Sequence, residues 1–215
     1  MSTIVERYNK IKSNLVLLKP VNPVNIIAVS KTFPLDHIKP ILDAGHTHFG
    51  ENKVQEAIAK WSSLKSQMKS LKLHMIGKLQ SNKAKEAVKL FDYIHSLDNQ
   101  KLALKISEYE KNSTKKIKLF IQVNVGEESQ KSGINIESLP NFFNECKKLD
   151  LNIIGTMCLP PIDKDPEIFF SNMLKINNDL KLKELSMGMS EDYLKAIKYY
   201  STYLRVGSKI FGPRS

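Results

Sequence analysis

The chain has 215 residues and a formal net charge of +11 at pH 7. Its two cysteines are too few for a disulfide framework and indicate a reducing compartment such as the cytoplasm. No apolar run approaches the roughly 20 residues of a membrane-spanning helix, and the first residues lack the apolar core of a signal peptide. The hydrophobic fraction of 41% suffices for an ordinary core, so we expect one domain covering residues 1–215.

The positive charge is carried almost entirely by lysine, because only three of the 33 basic residues are arginine. The lysines are scattered along the predicted helices, with Asp and Glu between them, and do not form a stripe. Arginine is the residue favoured for base readout and for bidentate phosphate contacts. We therefore expect neither a specific nucleic-acid partner nor a membrane partner.

Short apolar runs alternate with helical patterns along the chain. An amphipathic helix is predicted first, with Ile4, Tyr8, Ile11, Leu15 and Leu18 on one face. Each following unit combines a strand, a polar turn and a helix, which is the pattern of parallel βαβ units. The predicted strands are NIIAVSK from Asn25, THFGE from Thr47, KLHMIG from Lys72, YIHSLD from Tyr93, IKLFIQVNV from Ile117, NIIGTMCL from Asn152, ELSMG from Glu184 and YLRVG from Tyr203.

Eight such units in this length predict an α/β fold, a single (β/α)8 TIM barrel with an extra N-terminal helix. A doubly wound open sheet is the alternative, but it usually contains fewer strands at this length. In a barrel, the residues that follow the strands meet at one rim, which is the active face. The residues expected there are Lys31, Glu51, Asn52, His74, Ser96, Asn124, Met157, Ser186 to Ser190, Arg205 and Gly207.

Lys31 ends the apolar run IIAVS and precedes the turn sequence TFP. Most lysines of this chain are expected to be solvated surface charges. A lysine at the mouth of a barrel is partly desolvated, which favours the neutral amine over the ammonium. Because a neutral amine can form a Schiff base with a carbonyl, Lys31 is a candidate nucleophile.

The loops after the last two predicted strands have the composition of an anion site. Ser190 stands at the predicted N-cap of the next helix, and Gly188 would let the backbone approach a ligand. A plain capped helix also accounts for this pattern. Gly207 and Ser208 follow the last strand, and barrels often bind phosphate with the loops after strands seven and eight. Arg205 lies inside that apolar strand and must have a partner, because an unpaired buried charge is costly.

Other conspicuous side chains are expected to be structural. His46 and His48 could lie on one side of a strand as metal ligands, but no third ligand with plausible spacing is present. Cys146 and Cys158 are expected to be buried small apolar residues. No metal site is therefore predicted.

Seven blocks lie in order between Ile26 and Arg214: AVSKTFP, FGENKVQE, LHMIGKLQSNKAK, QVNVGEESQKSGI, GTMCLPP, LSMGMSEDYLKAI and VGSKIFGPR. Together they resemble the blocks of the pyridoxal phosphate homeostasis proteins, a single-domain, alanine-racemase-like family. One block alone would be weak, but seven in register are specific, and they span nearly the whole chain.

The resemblance implies a barrel like the N-terminal domain of alanine racemase, with pyridoxal 5′-phosphate (PLP) bound to Lys31 as a Schiff base. It also implies that Asn52 lies beside this cofactor and that His74 lies near it. The other implied contacts are Met189 and Ser190 to the ring and phosphate, Gly207 and Ser208 to the phosphate, and Arg205 to the pyridine nitrogen.

An arginine at the pyridine nitrogen would keep that nitrogen unprotonated, because a guanidinium only donates hydrogen bonds. A neutral pyridine is a weaker electron sink than a pyridinium. Such a site suits racemase-like chemistry or simple cofactor holding better than transamination.

The sequence also bears on whether the protein catalyses a reaction. A racemase needs two bases on opposite faces of the substrate carbon. In alanine racemase the second base is a tyrosine from another domain, for which no residues remain here. Tyr193, Tyr199, Tyr200 and Tyr203 are expected to pack instead. We therefore expect a non-catalytic protein of intracellular PLP (vitamin B6) homeostasis that could hand PLP to PLP-requiring apo-enzymes. The alternative is a small PLP-dependent amino-acid racemase or lyase.

Overall fold

A computed structural model describes residues 3–111, 113, 115–128, 130 and 132–213 of the protein. Within these residues, eight parallel strands form a closed barrel in chain order, and the last strand pairs with the first. The predicted (β/α)8 architecture is confirmed. The strands are β1 (Asn25–Val29), β2 (His48–Glu51), β3 (Lys72–Met75), β4 (Tyr93–Leu97), β5 (Lys118–Val123), β6 (Ile153–Cys158), β7 (Glu184–Met189) and β8 (Tyr203–Val206).

Helices alternate with these strands and cover the outside of the barrel. The predicted N-terminal helix is present as α1 (Ile4–Leu18), and it begins with a capping box between Thr3 and Glu6. A final four-residue helix after β8 was not predicted. The helices after α1 are α2 (Leu35–Asp43), α3 (Val54–Gln67), α4 (Ala84–Leu90), α5 (Gln100–Glu110), α6 (Leu139–Lys148), α7 (Pro166–Asp179), α8 (Tyr193–Lys198) and α9 (Ser208–Phe211).

The barrel and its helices enclose two separate sets of buried side chains. We call the layer between strands and helices the outer layer, and it includes Trp61 and Phe170, both fully buried. The space inside the barrel, the lumen, is lined by a second apolar cluster. Burying a large apolar side chain contributes about 1.5–3 kcal/mol, so the more populous outer layer supplies most of the hydrophobic stabilisation. The lumen cluster consists of Ile27, Tyr93, Phe120, Met157 and Tyr203.

Helix α1 fastens the segment that follows β8. The Arg7 Nε atom donates to the Ile210 carbonyl oxygen of α9 at 2.7 Å. Helix α1 is also bonded to α8, because Asn14 Nδ2 donates to the Tyr193 hydroxyl at 2.9 Å. The C-terminal residues are thereby held at the barrel mouth. Among the described residues, no helix has the length and apolar character required to cross a bilayer.

Candidate functional site

A cavity of about 700 Å³ opens at the carboxyl ends of the barrel strands. This volume lies within the range of about 300–1,000 Å³ that is usual for small-molecule sites. Apolar side chains such as Phe33, Ile76 and Leu159 form part of its wall. Of the residues that the resemblance implicates, the wall includes Lys31, Asn52, Met189, Ser190, Arg205, Gly207 and Ser208.

Lys31 stands on a tight turn directly after β1. The Phe33 amide donates to the Ser30 carbonyl at 3.2 Å, which closes the turn, and Thr32 adopts a positive φ of 70°. This conformation is uncommon for a β-branched residue, so the turn must be held by its surroundings. Lys31 is half-buried on the cavity wall.

The support for this turn is a buried carboxylate on β2. Glu51 is fully buried, and its Oε1 atom accepts hydrogen bonds from Ser30 Oγ at 2.7 Å, Lys60 Nζ at 2.9 Å and Trp61 Nε1 at 2.9 Å. Lys60 Nζ also donates to the Ser30 carbonyl at 2.8 Å. Glu51 and Lys60 therefore fix the residue immediately before Lys31 from the outer side of the barrel.

Arg205 is the most deeply buried charge on the cavity wall, with only 4% of its surface exposed. Its Nη1 atom donates to Ser186 Oγ at 2.7 Å, and Nη2 donates to the Cys158 carbonyl at 2.8 Å. The prediction that this arginine has partners is confirmed. Burial lowers the pKa of Arg205 from its ordinary value, but a guanidinium remains protonated at neutral pH.

Ser190 does not cap the helix that follows it, so that part of the prediction is wrong. Helix α8 begins only at Tyr193, and Asp192 stands at its N-cap. The Ser190 hydroxyl instead accepts from the amides of Gly207 and Lys209, at 3.3 and 3.4 Å, where α9 begins. The loops after β7 and β8 are thus joined through this serine. The sequence identified both loops but paired the hydroxyl with the wrong helix.

Two glycines shape the region around the cavity in different ways. Gly77 lies on the cavity wall, and a Cβ atom there would lie 2.5 Å from the Asn52 carbonyl oxygen, so only glycine fits this close approach. Gly188 was predicted to bring the backbone close to a ligand, and this is wrong. It has a φ of +90°, and a Cβ atom there would lie 2.6 Å from the Ala196 Cβ of α8. Gly188 therefore serves packing in the outer layer.

Seven residues expected at the rim lie off the cavity wall. His74 is fully buried in the lumen below the cavity, where it contacts His48 and His95. The others are displaced because successive side chains of a strand point to opposite faces, or because they lie too deep along the strand. These others are Glu51, Ser96, Met157, Ser186, Met187 and Gly188, all buried.

His46 and the two cysteines have the structural positions that were expected of them. His46 Nδ1 bonds to the Tyr8 hydroxyl at 2.9 Å, and its Nε2 bonds to the His48 carbonyl at 2.8 Å, which is a structural role. Both cysteines are free and buried. No cluster of three or more metal-ligating side chains occurs in the described part of the chain.

The cavity wall also contains residues that the sequence did not single out. Lys78 and Gln122 add polar groups, and Ile162 contributes an almost fully exposed apolar side chain at the mouth. Lys78 lies directly after Gly77, within a block that was recognised only by family resemblance. Nothing in the local pattern separates it from the other lysines of the chain.

The charges on this wall favour an anionic ligand that also carries a carbonyl. Lys31, Lys78 and Arg205 supply positive charge to this wall, and Glu191 and Asp192 supply negative charge. Asp192 is engaged by the backbone, because its Oδ1 atom accepts from the Met189 amide at 2.6 Å. The wall therefore offers a candidate amine, a buried guanidinium, and a serine with two amides between β7 and β8.

Comparisons with known proteins agree with this arrangement. The model of the alanine racemase N-terminal domain matches residues 7–215. The pyridoxal phosphate homeostasis protein of Haemophilus influenzae is 38% identical over 205 residues, which cover 90% of this chain and 86% of that protein. The chain belongs to the pyridoxal phosphate homeostasis protein family. The homologous protein of Pseudomonas aeruginosa is 34% identical over 100% of this chain and 97% of its own length.

Solved structures of two other proteins have the same barrel fold as this chain. The structure of PipY from Synechococcus elongatus with PLP bound has a TM-score of 0.86 and 34% identity, and covers 98% of this chain and 100% of that one. An alanine racemase of Clostridium difficile has a TM-score of 0.75 at 16% identity. The match covers 99% of this chain but 57% of that racemase, and it bears on the fold alone.

Proposed function

We propose that this protein binds PLP in the cavity, holds it as a Schiff base on Lys31, and serves intracellular PLP homeostasis in the cytoplasm without catalysis of its own. A single barrel domain would carry this function. The observation that supports the proposal best is the presence of Lys31 and Arg205 on one cavity wall, together with the serine and amides at the ends of β7 and β8.

The residues present fit the chemistry of PLP. Ser190 and Ser208 would hold the phosphate through their hydroxyls, and the Gly207 amide would exchange its long bond to Ser190 Oγ for a phosphate oxygen. Asn52 and Met189 line the same cavity wall and would contact the ring. His74 lies below the wall and would act at a distance. When bound, PLP supplies an electrophilic carbonyl and an electron-withdrawing ring.

Arg205 would direct the remaining N–H groups of its guanidinium at the pyridine nitrogen. Because a guanidinium can only donate, that nitrogen would remain an unprotonated acceptor. This weakens the electron-withdrawing power of the ring and favours holding the cofactor over reactions that need full carbanion delocalisation.

The positions of the tyrosines support a non-catalytic role. Tyr193 and Tyr203 are buried, and Tyr199 donates to Glu167 Oε2 at 3.0 Å. No tyrosine lines the cavity within the described part of the chain. A racemase or lyase is the second candidate, and Lys78 is the observation that favours it, because it is a second amine on the cavity wall.

Titration with PLP, followed by absorption spectroscopy, tests the proposal. The wild-type protein should develop a yellow Schiff-base band, Lys31→Ala should abolish it, and Lys78→Ala should retain it. A band that survives Lys31→Ala would contradict the assignment of the lysine. Amino-acid turnover at enzyme-like rates, with product stereochemistry followed, would contradict the non-catalytic role.

We further infer that the bound PLP can be passed to PLP-requiring apo-enzymes. Lys31 is only half-buried, and Met189 at 36% and Ile162 at 98% are exposed at the mouth, so the cavity is open to a partner. Loaded protein mixed with an apo-aminotransferase should restore its activity faster than the same amount of PLP released into buffer. Equal rates would indicate that only free PLP is transferred.

A further inference from the structure

A hydrogen-bonded chain of three imidazoles crosses the barrel lumen and ends on Arg205. His48 Nδ1 lies 2.9 Å from His74 Nε2, and His74 Nδ1 lies 2.9 Å from His95 Nε2. His95 Nδ1 lies 2.8 Å from Ser186 Oγ, which accepts from Arg205 Nη1 at 2.7 Å. We call His48, His74, His95 and Ser186 the histidine relay.

The relay connects opposite ends and opposite sides of the barrel. His48 is the first residue of β2 and lies half-buried at the amino-terminal opening, whereas Arg205 lies on the wall of the cavity at the other end. His74 and His95 continue along β3 and β4. The bond from His95 to Ser186 then spans the lumen to β7, which is three strands further around the barrel.

Aromatic rings hold the two inner imidazoles in place. His74 is stacked on Tyr93 with ring centroids 4.2 Å apart and an angle of 11° between the planes. His95 is stacked on Phe120 with centroids 4.2 Å apart and an angle of 14°. Both histidines are fully buried. Their ring planes, and therefore the directions of their ring nitrogens, are fixed by packing.

The chemistry of Arg205 sets the direction of every bond in the relay. The guanidinium can only donate, so Ser186 Oγ accepts from it. Among the described residues, the other hydrogen-bond partner of this hydroxyl is His95 Nδ1, so we assign the hydroxyl proton to that bond. Neutral His95 must then carry its proton on Nε2 and donate it to His74 Nδ1. By the same reasoning His74 carries its proton on Nε2 and donates to His48 Nδ1, which leaves the proton of His48 on Nε2.

This arrangement requires neutral imidazoles, and burial provides that condition. Desolvation lowers the pKa values of His74 and His95 well below 6.5, and neighbouring positive charges add to the effect. The pKa of His48 is also lowered by burial and by Lys72 and Lys118, against the opposing charge of Asp92. An added proton on His74 Nδ1 would face the proton on His95 Nε2, and the hydrogen bond between these two atoms would be lost.

We propose that Ser186 and His95 are positioning residues for Arg205, and that the histidine relay fixes its guanidinium toward the cavity. This rests on the proposed function, since the ligand of Arg205 would be the pyridine nitrogen of PLP. The hydrogen bonds of the guanidinium go to neutral groups, Ser186 and the Cys158 carbonyl, while the Asp192 carboxylate acts on it only through its charge. The positive charge therefore remains available to a ligand, whereas a carboxylate partner at the same place would neutralise it.

The first test uses the ligand-free protein, so it does not depend on PLP binding. Long-range proton–nitrogen NMR spectra of histidine-labelled protein report which ring nitrogen carries the proton. We expect His48, His74 and His95 to be neutral and protonated on Nε2 near neutral pH. Ser186→Ala should change the signals of His95 and His74, whereas Ser107→Ala, which removes a buried hydroxyl bonded to the Leu149 carbonyl, should not. A His95 protonated on Nδ1, or one unaffected by Ser186→Ala, would overturn the proposal.

The second test measures the effect on the site. Ser186→Ala should weaken PLP binding about tenfold and shift the absorption band, because one charge-assisted hydrogen bond orients Arg205. Ser107→Ala should change the affinity less than about twofold, which controls for the loss of a buried hydroxyl. If Ser186→Ala does not fold, His95→Asn, which keeps an acceptor for Ser186, is compared with His95→Leu, which does not.

The two tests separate the relay from the proposed function. Weaker binding by His95→Leu than by His95→Asn supports the relay, and equal binding overturns it. Unchanged affinity and spectrum in folded Ser186→Ala would also overturn the relay while leaving PLP binding intact. If the wild-type protein forms no Schiff base but shows the expected histidine tautomers, the proposed function is contradicted. The donor and acceptor directions assigned within the histidine relay would still hold.

Discussion

The outer layer and the lumen are both buried, but they are built from different chemistry. The outer layer is packed mainly by aliphatic and aromatic side chains from strands and helices. The lumen combines a small apolar cluster with three histidines, a serine and an arginine joined by hydrogen bonds. Burial of polar groups is costly unless every group is bonded, so the lumen needs directional bonds where the outer layer needs only volume.

This difference assigns separate roles to the two regions. Substitutions in the outer layer should change the free energy of unfolding and leave the cavity as it is. Substitutions in the lumen should change ligand binding, because the relay ends on the cavity wall. The following predictions test that division, beginning with the largest expected effect.

Acid should destabilise the protein through histidines that are buried in the neutral form. Burial lowers the pKa of His46 to about 4 and those of His74 and His95 well below 6.5. Since the unfolded chain binds these protons more readily, stability is complete above pH 6.5 and is lost as the pH falls toward the folded-state pKa values. Each histidine removes about 1.4 kcal/mol per pH unit in this range.

Urea unfolding at a series of pH values checks this prediction. His95→Asn should reduce the slope of the unfolding free energy against pH by about one proton. Burial raises the pKa of Asp92, but hydrogen bonds from Lys65 and the Leu73 amide outweigh it, so this carboxylate acts only below its ordinary pKa of 3.8. Burial raises the pKa of Glu110 above 4.5, so this carboxylate opposes the histidines only at the acid end of the range. A stability that stays constant from pH 7 to 5 would contradict neutral burial of the relay.

Truncation of Phe170 should affect the outer layer alone. Phe170 is fully buried on α7, and Phe170→Ala should lower the free energy of unfolding by about 3–5 kcal/mol through lost burial and a residual cavity. PLP affinity of the folded fraction should stay within about twofold of the wild type, since about 0.4 kcal/mol corresponds to that factor. A large loss of affinity would show that the two regions are coupled.

The ion pair between Glu51 and Lys60 is the exception within the outer layer. Lys60→Met leaves the fully buried Glu51 carboxylate without its cation and should cost about 3 kcal/mol, the lower end for a broken buried pair. The double variant with Glu51→Gln should recover part of this loss. Chemical denaturation of the two single variants and the double variant measures the interaction free energy between Glu51 and Lys60. Additive losses in the free energy of unfolding would show that the two residues do not stabilise each other.

A surface ion pair should have the smallest effect. Lys105 and Glu108 are exposed on α5, and their Nζ–Oε2 distance is 2.7 Å. Lys105→Ala should leave the unfolding midpoint unchanged within error and should not change PLP binding, because a solvent-exposed ion pair is screened by water and salt. Thermal unfolding and PLP titration of this variant provide the baseline for all of the others.

The outer layer could be predicted from the sequence and the relay could not. The apolar runs that begin at Asn25, Lys72 and Tyr93 mark strands directly, because local pattern and burial coincide there. The contact between His95 and Ser186 joins residues 91 positions apart across the lumen. It depends on which residues of non-adjacent strands reach the same height in the barrel, and no local pattern contains that information.

The candidate site shows the same contrast on a smaller scale. Lys31 was found because an apolar strand precedes it, and Arg205 because it interrupts one. The bonding of Ser190 was assigned to the wrong helix, because the sequence suggested a local cap and the structure uses amides 17 and 19 residues away. His74 lies too deep in the barrel to line the cavity. The sequence could not show this, because it does not give the depth of each residue along the barrel axis.

The most direct test of the account is chemical trapping of the cofactor. Borohydride reduces a Schiff base to a stable amine, so the protein is incubated with PLP, reduced, digested and analysed by peptide mass mapping. We predict a phosphopyridoxyl label on the peptide that contains Lys31, and the loss of that label in Lys31→Ala. A label placed mainly on Lys78 or spread over surface lysines would contradict it.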